Sequence, residues 1–301
     1  MFAELHARSA FSFLEGASLP EAMVTRAAEL GYRAIAITDR GGFYGSARAH
    51  YTAKELGIRA LVGTTMTHGG GSVPVLCATR TGYQRMCQEI TTRNLFPDES
   101  RREEGWTEGD LIALTGDSEG PVARALSRGN RPAAEVAALS LIKRFGHGNV
   151  YVELWHHGRR GDEMMIRDLS DLAVKLKLPT VVSNAPMIAK RCDRMLLDAF
   201  TCLRHHTTLD QAGRLLEANS HRCLRQGSEI KGIFAEKHRA ALINQQRLAE
   251  RLEFTLEDLG YRFPDFPDEH GKPLSIPAQT RLLRELADAG AARRYGKLTA
   301  K

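Results

Sequence analysis

His6, Asp39 and His157 are the residues of this sequence whose types suit a transition-metal centre, because neutral imidazole and carboxylate both offer lone pairs to a cation. Arg8 and Arg40 lie beside two of them in the chain and argue the other way. A guanidinium is a permanent cation without a lone pair to donate, so it repels a divalent ion and cannot ligate one. Other chemistry-bearing patterns are weaker. Besides His157, the sequence offers His156, His205 and His206, but adjacent histidines mark polar loops or helix ends more often than metal sites, and His205-His206 runs into Thr207-Thr208, a helix entry. Gly69-Gly70-Gly71 lacks the Lys-Ser/Thr and helix start of a phosphate cradle and reads as a hairpin turn. Arg159-Arg160 is within reach of a DNA backbone only in the sense that any surface arginine pair is. The mixed run Arg101-Arg102-Glu103-Glu104 reads as a solvated loop.

Such residues act together only if the fold brings them to one place. Phe2 to His6 reads as a strand, and Ser18-Leu19-Pro20-Glu21 has the S-x-x-E spacing of a capping box, with Pro20 in the first turn. Leu19, Ala22, Met23, Ala27 and Leu30 then recur at helical spacing, and Gly31 is a natural stop. The pattern repeats: Ala34 to Ile37 is a strand, Asp39-Arg40-Gly41-Gly42 a loop, Ser46 to Leu56 a helix closed by Gly57, and Ile58 to Val62 a third strand. Further strands fit Val73 to Ala78, Leu111 to Thr115, Val150 to Leu154 and Thr180 to Ser183. Apolar strands alternating with helices predict parallel pairing with both faces covered, and six or seven of them over about 190 residues suit a barrel better than a short open sheet. In parallel barrels chemistry sits where strands end. The polar residues there are His6, Arg8, Asp39, Arg40, Thr64, Thr65, His156, His157 and the run Asn184 to Met187.

From about Asp193 the sequence predicts helices without intervening strands: Asp193 to Leu203, Thr208 to Ala218, Ser228 to Phe234 and Glu236 to Leu252. Tyr261 to Pro267, followed by Gly271 and Pro273, is a punctuated connector, and a last helix starts at Pro277. With 301 residues, 43% of them hydrophobic and 26% charged, the chain has the make-up of a globular protein. Its net charge of +6 permits contact with a polyanion. No apolar run approaches the length of a membrane span, and MFAELHARS lacks a signal-peptide layout, so the expected location is cytoplasmic. The five cysteines are widely spaced without a C-x-x-C pair and read as reduced, mostly buried thiols.

The opening FAELHARSAFSFLEGASLPE is similar to the start of bacterial replicative polymerase alpha subunits and related PHP (polymerase and histidinol phosphatase) proteins, in which H-x-H after the first strand provides metal ligands. Here His6 matches the first position and Arg8 stands in the second. AIAITDRGG resembles the family's I-T-D-H-G turn, so Asp39 is retained and Arg40 replaces a histidine. Where the family has I-G-x-E, Thr65 takes the carboxylate's place in Val62-Gly63-Thr64-Thr65. His157, in Tyr151 to Gly158, matches a ligand histidine of metal-binding members. Val182 to Met187 resembles T-N-D-x-H, with Ala185 and Met187 where aspartate and histidine would be. Segments Phe200 to Arg204, His221 to Arg225 and Leu252 to Tyr261 look like those joining PHP to palm in the error-prone branch of C-family polymerases. Ala292 to Lys297 resembles the edge of the polymerase region, which implies a truncated product or an excised piece.

The resemblance implies a distorted (β/α)7 PHP-type barrel over residues 1–192, a helical linker over 193–268 and the start of a polymerase region over 269–301. It implies the PHP portion of an error-prone polymerase that extends DNA past lesions, with a degenerate metal site and a scaffolding role; the alternative is a metal-dependent phosphoesterase or 3′-5′ exonuclease. Five of the eight aligned positions (Arg8, Arg40, Thr65, Ala185, Met187) lack a ligand, so no catalytic residue and no metal are expected, and His6, Asp39 and His157 are the ligands if Zn or Mn binds weakly. Mg belongs to the parent polymerase. The implied partners are DNA through that polymerase, its palm and thumb regions, a sliding clamp and mutagenesis accessory proteins, with no membrane. Arg8 and Arg40 are expected to replace the cation by pairing with Asp39.

Overall fold

The computed structural model describes residues 2–96, 106, 109–257, 259, 266–268 and 270–296. They fall into two compact units, residues 1–257 and 258–301. Seven strands form one sheet in sequence order: β1 (Phe2–Ala7), β2 (Tyr32–Ile37), β3 (Arg59–His68), β4 (Gly71–Cys77), β5 (Leu111–Leu114), β6 (Val150–Leu154) and β7 (Thr180–Val182). The helices of this unit are α1 (Pro20–Glu29), α2 (Ser46–Leu56), α3 (Arg80–Leu95), α4 (Pro121–Ser127), α5 (Arg131–Phe145), α6 (Asp162–Leu176), α7 (Arg194–Arg204), α8 (Leu209–Ala212), α9 (Gly227–Phe234) and α10 (Arg239–Arg251). The second unit contains α11 (Ile276–Tyr295). The run Arg101 to Glu104 and most of the connector from Tyr261 lie outside the described residues.

Uniform parallel pairing does not hold. Strands β1, β2 and β3 are parallel, as are β5, β6 and β7, but β4 runs antiparallel to both of its neighbours. The cause is the glycine turn: Gly69 and Gly70, at φ 56° and 71°, reverse the chain in two residues, which leaves no room for a crossover helix. The capping box at Ser18 does not form either. Leu19 is the N-cap residue, and Ser18 Oγ instead donates to Asp193 (3.2 Å) and accepts from the Ala189 amide (2.8 Å), tying the loop after β1 to the segment after β7.

Alternation along each strand divides the core in two. On β2, Ile35 and Ile37 face outward to the helices, among Met23, Val24, Ala27 and Ala49, while Ala34 and Ala36 face the inside of the curl. The inner set, with Ala3, Leu5, Leu61, Leu76, Ile112, Leu114 and Val181, is plugged by Leu248, Ala249 and Leu252 at the end of α10. Because the sheet is covered on both faces, its strands read as continuous apolar runs rather than alternating ones.

β1 and β7 are the two edges of the sheet, and side chains bridge the gap between them. Buried Gln245 on α10 donates to the carbonyls of both Ala3 (2.5 Å) and Val182 (3.2 Å). Nearer the strand ends, buried Glu4 accepts from Ser183 Oγ (2.6 Å) and the Asn184 amide (3.0 Å), and the Arg8 amide donates to Pro186 O (2.9 Å). The edges are therefore satisfied without a ladder, which is what keeps them from pairing with another chain.

Candidate functional site

The C-terminal ends of β1, β2, β3, β6 and β7 do bring the singled-out residues to one mouth, but the hydrogen bonds there differ from those expected. Asp39, just beyond β2, is buried and turned toward the loop after β1: it accepts from the Ser9 amide (2.8 Å), Ser9 Oγ (2.7 Å) and Ser12 Oγ (2.8 Å). A Cβ on Gly45 would come within 2.5 Å of the Asp39 carboxylate, so only glycine fits against that turn. Thr65, at the aligned carboxylate position, and its neighbour Thr64 donate from their hydroxyls to the carbonyls of Thr38 (2.8 Å) and Asp39 (2.9 Å) respectively. This cluster shapes a loop.

Arg8 and Arg40 do not pair with Asp39. Both turn to a second group of carboxylates, two of which come from the loop after β5. Arg8 sits 2.8 Å from Glu119, 3.4 Å from Asp117 and 3.7 Å from Glu15. Arg40 sits 2.7 Å from Glu15 and 3.1 Å from Glu119. Arg222, from the segment between α8 and α9, reaches Asp117 at 2.5 Å and also donates to Ala185 O. The physical reason is supply: Asp39 is already filled by three short donors, whereas Asp117 is fully buried and, among the described residues, its side chain accepts from the Glu119 amide and these guanidiniums.

Burial works against the charges of Asp117, Glu119 and Arg8, and the pairing outweighs it. Burial would push the Asp117 carboxyl up, but Arg222 and Arg8, with His6 behind them, hold it well below the usual carboxylate range. Glu119 is likewise lowered: burial opposes its charge, Arg8 favours it, and repulsion from Asp117 is not enough to reverse the balance. Arg8 is disfavoured by burial yet ends above its ordinary value because Asp117, Glu119 and Glu15 surround it. Taking charges out of water is repaid here only because each faces an opposite charge at close range.

His6 and His157 are both buried and lie apart in their bonding. His6 Nδ1 is 2.9 Å from Glu153 on β6, with His6 Nε2 and Glu153 Oε2 lacking partners among the described residues. His157 Nε2 is 2.8 Å from Asn184 O; a carbonyl only accepts, so this nitrogen carries the proton and cannot ligate a metal. Burial, then Arg222, pushes His157 down to about 3, which keeps it neutral at physiological pH. Glu4, one turn of the pleat below His6, is pushed up by burial against hydrogen bonds from Ser183, Asn184 and the His6 amide. Ala185 is buried at φ 44°, a left-handed conformation costing about 1–2 kcal/mol for a residue with a Cβ. Met187 packs among Ala17, Ile188, Leu197 and Cys223, so an aligned histidine position has become apolar contact with α7.

Asp39 is engaged through both carboxylate oxygens, His157 is engaged through Nε2, and the Arg8 guanidinium lies in the same mouth. Among the described residues, no group of three or more His, Cys, Asp or Glu could hold a metal ion. The retained Asp39 carboxylate gives the first expected result. Asp39→Ala strips the acceptor from Ser9 and Ser12 and should destabilise the protein by about 2–3 kcal/mol in urea unfolding. A loss below about 0.5 kcal/mol would show that Ser9 and Ser12 do not depend on Asp39 as their acceptor.

Glu4, Glu15, Asp117, Glu119, Glu153 and Arg222 were not singled out from sequence. Glu4 and Glu153 carried a readable signal, a carboxylate inside an apolar strand (FAELHA and VYVEL). Asp117 and Glu119 follow β5 in Thr-Gly-Asp-Ser-Glu, where the strand-end rule points. Nothing local marks Arg222.

A family model described as PHP domain matches residues 4–157. Over 98% of its length the chain is 34% identical to an error-prone DNA polymerase of Mycolicibacterium paratuberculosis and to one of Mycobacterium tuberculosis strain H37Rv, covering 28% of each. It is 34% identical to the error-prone DNA polymerase of Pseudomonas syringae pv. tomato, covering 27% of that protein. The chain thus spans little more than a quarter of the length of these relatives. A solved amidohydrolase structure from Chromobacterium violaceum overlaps 61% of this chain and 86% of its own at 14% identity, with a TM-score of 0.38.

Proposed function

The chain belongs to the PHP-domain family, and from that premise we propose that it is the PHP portion of an error-prone DNA polymerase in which ion pairing has taken over the structural part of a lost metal centre. In this reading the segment is a scaffold. Its residues supply no nucleotidyl transfer; residues 193–268 lead toward the palm and 269–301 begin the polymerase region, which would hold the Mg that serves DNA synthesis past lesions. DNA, the palm and thumb, a sliding clamp and mutagenesis accessory proteins are then partners of the whole enzyme rather than ligands of the barrel mouth.

The observation that carries the reading is the pairing of Arg8, Arg40 and Arg222 with Glu15, Asp117 and Glu119 across the mouth. A hydrolytic site needs an open cation position and a group free to activate water. Here positive charge is supplied by side chains that cannot coordinate an oxygen nucleophile. No helix among the described residues is long and apolar enough to cross a membrane.

The test is elemental mass spectrometry on protein purified without chelator, together with hydrolysis of p-nitrophenyl phosphate in added manganese or zinc. The expected result is substoichiometric metal and no turnover above buffer. Stoichiometric metal with turnover that disappears in His6→Ala would overturn the proposal and make the chain a minimal-site hydrolase.

A further inference from the structure

Away from the barrel mouth, a cavity of about 460 Å³ lies where α1, the segment after β7 and the start of α9 meet. Its wall carries four cations, Arg26, Lys190, Arg191 and Arg225, and one carboxylate, Glu229. Glu229 is shared: its Oε1 accepts from Arg225 Nε (3.0 Å) and Nη2 (2.7 Å) and from Arg191 Nη2 (3.3 Å). Two further carboxylates stand near the wall and are engaged. Glu29 pairs with Arg26 at 2.8 Å, and Asp193 accepts from Ser18 Oγ and the Lys190 amide. Counting both, one positive charge is left over, and the Lys190 ammonium has no ion pair within 4 Å among the described residues.

Two features point the surplus at a ligand. Arg26 Nε is shielded from solvent and has no acceptor among the described residues, leaving a donor that a bound oxygen would satisfy. The N-cap of α9, Gln226, which lines the cavity, makes no side-chain cap, so the Gly227 and Ser228 amides at the start of that eight-residue helix have no capping side chain, while the Glu229 amide bonds Gln226 O. Forked guanidinium donors converging with an ammonium match an oxyanion carrying more than one negative charge, and a cavity of this volume also has room for the group attached to it.

We propose that this cavity binds a phosphate group, carried either on a nucleic-acid backbone or on a free nucleotide. Arg191 and Lys190 are exposed and supply the adjustable contacts; Arg225, buried and bonded to His156 O at 3.1 Å, fixes the back wall. This is independent of how the barrel mouth is read.

The experiment is calorimetric titration of the 301-residue protein at low salt with inorganic phosphate, a nucleoside triphosphate and a short oligothymidylate. The double variant Lys190→Ala/Arg191→Ala should weaken binding by about ten- to hundredfold, as loss of charge-assisted contacts does, with an unchanged melting curve. Arg33→Ala, which removes an exposed arginine paired with Glu250 elsewhere, should bind like the parent. Oligothymidylate binding that phosphate displaces poorly assigns the backbone; saturation by the triphosphate at lower concentration than by phosphate or oligothymidylate assigns the free nucleotide; equal saturation by phosphate and triphosphate supports the phosphate group alone as what the cavity reads. No saturation by any probe, or equal binding by the double variant, overturns the proposal.

Discussion

Asp117→Ala is expected to cost about 3–5 kcal/mol of folding stability, the largest effect of any single exchange at the barrel mouth. The side chain is fully buried and stands between two buried guanidiniums, 2.5 Å from Arg222 and 3.4 Å from Arg8. Removing it leaves buried Arg222 with the more distant Glu217 at 3.6 Å and buried Arg8 reliant on Glu119 and Glu15, with two guanidiniums brought together across the gap, and neither can lose its proton. Arg8→Met in the same background should recover part of the loss, because the methionine fills volume without charge. Urea unfolding of the single and double variants checks both statements. A loss below about 1 kcal/mol for Asp117→Ala would mean that the network is solvated and contributes no more than a surface pair does.

His157 should make stability depend on pH well above the carboxylate range. Its folded value of about 3 lies below the ordinary histidine value, so between these limits the unfolded chain binds one proton more than the folded one. Stability from this residue is therefore complete above about pH 6.5 and falls as pH drops toward 3, by up to about 1.4 kcal/mol per unit and on the order of 4 kcal/mol in all. His157→Gln, which retains an N–H for Asn184 O, should cut the slope between pH 6.5 and 4.5 by up to about 1.4 kcal/mol per unit, leaving the contributions of His221 and His238, which are also lowered. Asp117 and Glu119, both lowered, add their own loss at more acid pH, so the two regions separate. A variant with the parent's slope from 6.5 to 4.5 would show that His157 is not neutral and buried in solution.

Much of this architecture was legible because it rests on local rules. Ser46–Leu56 with its left-handed Gly57 stop, the apolar run of β6 and the turn at Gly69-Gly70 all follow from propensity and turn chemistry within a few residues. The antiparallel β4 follows from that turn too, once it is taken as overriding the parallel pattern of its neighbours. The bonding at the mouth was not legible. That Asp39 bonds Ser9 and Ser12, while Arg8 and Arg40 reach Glu15, Asp117 and Glu119, depends on which partner across the sheet is left unsatisfied, and no spacing encodes it. The position of Arg222, 105 residues from Asp117 in the chain, is beyond any periodicity.

Gln245 bonds Ala3 across 242 positions of sequence, and this sets an order of events during synthesis. At roughly 5–20 residues per second, a ribosome needs on the order of 12–50 s between delivering the first strand and delivering the helix that fastens it. Throughout that interval the β1 margin of the sheet is available for pairing with neighbouring nascent chains, the β7 margin joins it for the last 63 residues, and the interior lacks its plug of Leu248 and Leu252. The barrel is thus completed from the far end of its own sequence. In a polysome, the span from strand to helix is the period in which holdase chaperones matter most to this protein.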